Sequence, residues 1–188
     1  MTPGKDAPSG KAHLFGGPMV PILHLRLVEA LSVEYGGNNA EVESALHTLG
    51  RQMTTPILLT LVRNYGQPRD AYFPNNPDLF LNRIDEYLAK NWELFVGAPP
   101  SQLQFVDDNT LRLVAAPCPL CHGDVIEAGL KLRYCELIAG ALEGLVQSWI
   151  DNLSLHYGAS VTETACRLQG KKACEFRIHF EEKPPKTK

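Results

Sequence analysis

Cysteine and glutamate residues lie at short spacings in the C-terminal third of the chain, where they could bind a metal ion. Glu163 precedes Cys166 by three residues, and Cys174 follows after a short polar run that contains Gly170. Two strands that meet at such a turn bring both sulfurs close together. Thiolates and a carboxylate in this arrangement are typical ligands of a tetrahedral metal site, and zinc is the ion that they favour. The alternative is that the five cysteines are small buried apolar side chains.

Strand geometry sets a condition on this site. Glu163 and Cys166 are an odd number of residues apart, so strict alternation along a strand places their side chains on opposite faces. If both bind one ion, the strand must contain a bulge or end early.

The same residues carry a family resemblance. The pattern runs from Tyr134-Cys135-x-x-x-x-Gly140 to Val161-x-Glu163-x-x-Cys166-x-x-x-Gly170-x-x-x-Cys174-x-Phe176-x-Ile178. It resembles the 4-vinyl reductase domain family of bacteriochlorophyll-synthesis proteins and aromatic-sensing regulators, which is related to the Golgi-transport and haem-NO-binding folds. The resemblance implies helices packed on one antiparallel sheet, a hydrocarbon ligand, and zinc bound by Cys135, Glu163, Cys166 and Cys174.

A second motif, Cys118-Pro-Leu-Cys121-His122, offers further ligands. Joined to Cys166 and Cys174, its two thiolates would make a four-thiolate site for zinc or for an iron–sulfur cluster. Its spacing also occurs in covalent haem attachment, but no export signal is visible and the motif follows a predicted strand. A structural turn with reduced thiols is the remaining alternative. The sequence does not choose between this set and the set that contains Cys135 and Glu163.

Composition limits the class of protein. The chain has 188 residues, is 44% hydrophobic and has a net charge of −3, which suits one domain with a substantial core. No basic stretch tracks a phosphate backbone, so nucleic-acid binding by this chain alone is disfavoured. No apolar run reaches the roughly 20 residues that span a bilayer. We expect a cytoplasmic protein with a flexible leader at residues 1–17, one ligand-binding domain at residues 18–182 and a flexible tail at residues 183–188.

Hydrophobic periodicity predicts an α+β fold. Residues 18–94 have a helical pattern, with helix ends at Gly36-Gly37, a cap at Asn38 or Asn39, a kink or restart at Pro56 and a new start at Asn76-Pro77. Two hairpins, near residues 103–113 and 161–180, flank a long helix over about residues 130–155 that Gly158 ends. These elements predict an antiparallel sheet rather than a βαβ wind.

The long helix carries Gly140 and Gly144 four residues apart, a spacing that would let another backbone approach closely. Together with the strongly apolar first helix, this stripe predicts a homodimer with a helical interface.

Catalytic patterns are not legible, which favours binding over catalysis. The histidines have no acid or thiol partner in a recognisable order, and neither a P-loop nor a G-x-G-x-x-G motif is present. We therefore expect a zinc-containing sensor or carrier that encloses an apolar, aromatic or tetrapyrrole-like molecule. The pocket is predicted to be lined by Trp92, Val114, Tyr134, Trp149 and Val161. The alternatives are a part in vinyl reduction of a chlorophyll precursor, which would need a cofactor site, and a protein-interaction module.

Overall fold

Four helices and four strands make up the α+β fold seen in a computed structural model, which describes residues 19–64, 68–121 and 132–184. In chain order the elements are α1 Met19–Glu34, α2 Asn39–Asn64, α3 Pro77–Val96, β1 Gln102–Asp107, β2 Thr110–Ala115, α4 Glu136–Asn152, β3 Tyr157–Ala165 and β4 Cys174–Glu182. The predicted leader lies outside the described residues, as do His122 and most of the predicted tail. None of the helices in the described ranges combines the length and apolarity needed to cross a membrane.

The strands form one sheet in the order β1-β2-β4-β3, and every neighbouring pair is antiparallel. The prediction of two hairpins separated by a long helix is therefore confirmed. The chain returns from α4 to place β3 at one edge and β4 in the middle, paired with both β2 and β3. Inward-facing residues Leu111, Leu113, Phe176 and Ile178 are fully buried and form the sheet side of the core.

Several helix boundaries follow the local signals. Gly36 and Gly37 have φ values of 58° and 81° after α1, in the left-handed region that favours glycine. Asn38 accepts a side-chain hydrogen bond from the Ala40 amide at the start of α2, and Asn76 accepts one from Asp78 at the start of α3. Pro56 lies inside α2, so no new helix begins there.

The boundaries of α4 differ from the prediction. This helix begins at Glu136 rather than near residue 130, because residues 134–135 form a turn and Cys135 takes the N-cap position with φ −93° and ψ 17°. It ends at Asn152, and Ser154 follows with a φ of 53°. Gly158, predicted to end the helix, already belongs to β3.

Helices α2 and α4 cross at very short range. A methyl group added at Gly140 would lie 1.9 Å from the His47 carbonyl oxygen, and one added at Gly144 would lie 2.3 Å from that of Arg51. On the α2 side, a methyl group at Gly50 would lie 2.1 Å from the Leu137 carbonyl oxygen. The predicted close approach at Gly140 and Gly144 is thus made within the chain, and this stripe is not available to a second copy.

Candidate metal centre

All six predicted metal ligands meet in one buried cluster. The five cysteine side chains are free thiols with no exposed surface, and Glu163 is only 3% exposed. Two sets of four donors have ligand atoms within 4.8 Å of one another. The first consists of Cys118, Cys121, Cys135 and Cys174, and the second of Cys135, Glu163, Cys166 and Cys174. The second set is the one that the family resemblance implied, whereas the first contains Cys135 in place of the Cys166 of the predicted four-thiolate set. The two sets overlap in space, because both contain Cys135 and Cys174. We call these six residues the donor cluster.

Three elements and one loop position the donors. Cys174 is the first residue of β4 and Cys135 is the N-cap of α4. Ala115, the last residue of β2, pairs with Cys174, so the segment after β2 carries Cys118 and Cys121 toward the same end of the sheet. The Arg167 guanidinium donates to the Cys121 carbonyl oxygen at 3.1 Å, which ties this segment to the β3–β4 turn.

A bulge in β3 brings Glu163 and Cys166 to the same site. The pairing with β4 shifts between Glu163 and Ala165, so that Glu163 pairs with Phe176 while Ala165 pairs with Glu175. Thr164 is the extra residue. The bulge that the spacing required is therefore present. It allows Glu163 and Cys166 to belong to one donor set although they are an odd number of residues apart.

The sulfur spacings match a tetrahedral thiolate site. Neighbouring Sγ atoms are 3.4 Å apart for Cys118 and Cys135, 3.6 Å for Cys121 and Cys174, and 3.7 Å for Cys135 and Cys174. Four sulfurs at about 2.3 Å from a zinc ion are about 3.8 Å apart, since this is the edge of the corresponding tetrahedron. An iron–sulfur cluster needs room for its own iron and sulfide atoms between the thiolates, and sulfurs in contact do not leave it. The donor cluster therefore fits a single metal ion better than it fits an iron–sulfur cluster.

One oxygen of Glu163 supports this fit. Oε2 accepts a hydrogen bond from the Cys135 amide at 3.1 Å, whereas Oε1 is buried without a hydrogen-bond partner among the described residues. A buried carboxylate oxygen without a partner is costly unless a cation binds it. Burial raises the pKa of Glu163 to about 11, so without a cation this carboxyl group holds its proton.

The pKa values of the thiols also indicate that a cation is required to ionise the whole donor cluster. Burial raises the pKa of Cys135 well above its ordinary value, whereas hydrogen bonding from Cys121 lowers the pKa of Cys166 to about 6. The cluster can thus hold some thiolates without a metal but not all of them, because like charges repel at this spacing. A bound divalent cation would remove that restriction and ionise its ligands.

The predicted pocket residues are all buried, and one of them, Trp92, lines a cavity. Trp92 lines a cavity of about 20 Å³ between α3 and α4, together with Phe95, Val96, Ile138, Ala141, Leu142 and Leu145. A second cavity of about 20 Å³ between α2 and α4 shares Phe95 and Ala141 with the first. Trp149 is buried against Phe80 and Tyr87, and Val114, Tyr134 and Val161 lie in the core. We call the two cavities the helix seam.

Sequence reasoning missed an ionic cluster beside the donor cluster. His47 of α2 lies between two carboxylates of α4, with Nδ1 2.8 Å from Glu136 and Nε2 3.2 Å from Glu143. Hydrogen bonding to Glu136 and then Glu143 raises the pKa of His47 to about 9. The spacing of Glu136 and Glu143, two turns apart on one helix, was the available signal, but their partner is about 90 residues away in the chain.

Comparison with solved structures identifies the fold. The chain is similar to a trafficking protein particle complex subunit 3 from Naegleria fowleri, whose crystal structure shows it covalently bound to palmitic acid. The TM-score is 0.57 at 14% sequence identity, and the match covers 87% of this chain and 95% of that one. No protein-family model and no curated protein matches the sequence. The match supports the α+β fold expected for this chain, while membership of the 4-vinyl reductase family stays a prediction.

Proposed function

We propose that this protein is a zinc-containing domain that binds an apolar small molecule and acts as a sensor or carrier. The observation that carries the metal half is the donor cluster, with five thiols and one carboxylate buried at tetrahedral spacing. Zinc is preferred because thiolates with one carboxylate at this spacing suit a tetrahedral ion without redox chemistry. The ion would link the start of α4 to β4 and to the segment after β2.

Metal content tests this half. Protein purified without added metal is expected to contain about one zinc per chain by elemental analysis. Protein without metal and without affinity for zinc on titration would contradict the metal half. The presence of iron together with visible absorbance would mean that the site holds an iron–sulfur cluster instead of zinc.

The ligand half rests on the helix seam and on the fold. The seam is lined almost wholly by apolar side chains, and a solved protein of similar fold carries palmitic acid. Each cavity has room for about one water molecule, whereas drug-sized ligands occupy about 300 Å³ or more. A ligand must therefore separate α3 from α4, and burial of apolar surface at about 25 cal/mol per Å² would drive that opening.

A substitution within the seam tests the ligand half. Palmitic acid, pyrene and phenol are compared by thermal shift and by quenching of tryptophan fluorescence. Phenol is expected to bind most weakly, because its hydroxyl would lose water without a partner, which costs about 1–3 kcal/mol. Ala141→Leu, which fills both cavities, is expected to abolish binding. The matched control Ala45→Leu changes the open cleft between α1 and α2 and leaves binding intact.

Failure of every apolar compound to bind would contradict the ligand half. Loss of binding in Ala45→Leu but not in Ala141→Leu would move the ligand site to the α1–α2 cleft.

We also propose a homodimer, now based on α1 alone. Ile22, Leu23 and Val33 are 47%, 62% and 82% exposed on this helix. Covering these side chains would remove apolar surface from water. Light scattering at tens of micromolar is expected to give twice the monomer mass, and Leu23→Glu is expected to give the monomer. A monomeric mass for the unmodified protein would contradict the dimer.

A further inference from the structure

The donor cluster has six donors, whereas one tetrahedral ion uses four. The distances among the donors define more than two possible sets of four. Cys121 lies 3.4 Å from Cys135, 3.6 Å from Cys174 and 3.9 Å from Cys166. Cys166 also lies within 4.8 Å of Cys135 and Cys174. A third set of four donors therefore exists, made of Cys121, Cys135, Cys166 and Cys174.

The three sets are arranged around one edge. Cys135 and Cys174, 3.7 Å apart, belong to all three. The remaining donors follow in the order Cys118, Cys121, Cys166 and Glu163, and each consecutive pair completes one tetrahedron with the common edge. The first and second tetrahedra share a triangular face, as do the second and third.

The distances allow one ion at a time. Centres of two tetrahedra that share a face are about 1.5 Å apart for zinc–sulfur bonds of about 2.3 Å. Even the outer two positions, which share only the Cys135–Cys174 edge, cannot be more than about 2.7 Å apart. Two divalent cations at such separations would repel strongly.

We propose that the donor cluster is an exchange site in which one soft d¹⁰ cation, such as Zn²⁺, moves between these three positions. Cys135 and Cys174 hold the ion throughout, and the other donors replace one another. Movement from the first position to the second would replace Cys118 by Cys166 as a ligand of the ion. The departing sulfur keeps its electron pair and takes the proton that the entering thiol loses.

The locations of the donors agree with these roles. Cys135 and Cys174 begin regular elements, α4 and β4, that are fixed by backbone hydrogen bonds. Cys118 and Cys121 lie on a segment outside regular secondary structure. These two donors are therefore not held by the backbone hydrogen bonds of a helix or strand, which agrees with their being donors that are replaced. The inference rests on the metal half of the proposed function and adds that the ion is exchangeable rather than permanently enclosed.

Cobalt titration of the full chain tests the exchange site, because Co²⁺ absorption reports both tetrahedral geometry and the number of bound thiolates. The unmodified protein is expected to bind one Co²⁺ with four thiolates. Cys118→Ser and Cys166→Ser are each expected to do the same, since another tetrahedron remains complete. The double variant Cys118→Ser/Cys121→Ser is expected to keep one ion with a three-thiolate spectrum, through Glu163. Zinc competition then gives the affinities.

Two further variants serve as the contrast. Cys174→Ser and Cys118→Ser/Cys166→Ser are each expected to weaken binding by about 100-fold or more, beyond the effect of losing a group that merely supports a ligand. Circular dichroism checks that each variant is folded. Should Cys118→Ser or Cys166→Ser alone weaken binding as much as Cys174→Ser, or should two ions bind per chain, the exchange site is wrong while the metal half stands. No binding of cobalt or zinc by the unmodified protein would overturn both.

Discussion

Helix α4 makes two buried contacts of opposite character. At its N-terminus Cys135 enters the donor cluster, where the packed groups are polar and repel one another once ionised. Along its middle Gly140 and Gly144 lie against the carbonyl oxygens of α2, where no side chain intervenes. The first contact depends on a charge that the protein chain does not supply, whereas the second depends only on shape. Removal of an ion should therefore affect one contact and added volume the other.

The largest effect is expected from Cys174→Ser, because Cys174 belongs to every donor set. Loss of the ion leaves buried ionisable groups without compensation, and we expect a loss of about 3–5 kcal/mol in the free energy of unfolding. For a domain of this size that corresponds to a fall in Tm of about 6–20 °C. Calorimetry with and without a chelator measures it, with the exposed Thr162→Ala on β3 as control.

Treatment with a chelator tests whether Cys174 acts through the ion. It should lower the Tm of the unmodified protein to that of Cys174→Ser and should leave that variant unchanged. An equal effect of the chelator on both proteins would mean that Cys174 is not a ligand.

The next prediction concerns whether a substitution raises or lowers the free energy of unfolding. Gly140→Ala would stabilise an ordinary helix by about 0.5–1 kcal/mol through lower backbone entropy in the unfolded chain. Here the added methyl group would lie 1.9 Å from the His47 carbonyl oxygen, so α2 must move away. We expect a net loss of about 1–3 kcal/mol in urea unfolding. Thr48→Ala, on the exposed face of α2, is the control and should stay within about 0.5 kcal/mol. Stabilisation by Gly140→Ala would disprove the close crossing.

The sequence was most informative where local chemistry decides the structure. Asn76-Pro77 marked the start of α3 because capping and a fixed proline φ act over a single turn. The odd spacing of Glu163 and Cys166 required a bulge, and β3 has one. The partner of the Gly140 stripe could not be read in the same way, since an interface within the chain and one between chains need the same small residues.

The features that the sequence did not predict depend on contacts between residues that are far apart in the chain. The sequence offered two donor sets as alternatives, whereas the fold brings all six donors to one place and puts Cys118 and Cys121 in a set with Cys135. The pairing of Ala115 with Cys174 contributes to this arrangement. The turn at Cys135 looked like the inside of a helix because Leu132 and Tyr134 continue the apolar pattern. Both are buried, but from a turn that places the thiol at the N-cap. Periodicity reports burial and does not by itself separate the two geometries.

The smallest expected effect concerns His47, which connects the two regions because Glu136 follows Cys135 and Glu143 precedes Gly144 on α4. Its pKa is raised from 6.5 in the unfolded chain to about 9 in the fold. The charged pair therefore stabilises the fold fully below about pH 6.5, and this contribution is lost as the pH rises through about 9. Because His47 is partly exposed, we expect His47→Gln to cost about 1–2 kcal/mol at pH 6 and much less at pH 10.

Urea unfolding of both proteins at these two pH values measures the difference, and any loss of metal at high pH acts on both. A cost that is the same at both pH values would mean that His47 acts through packing rather than charge. The ionic cluster would then belong with the shape-dependent crossing of α2 and α4.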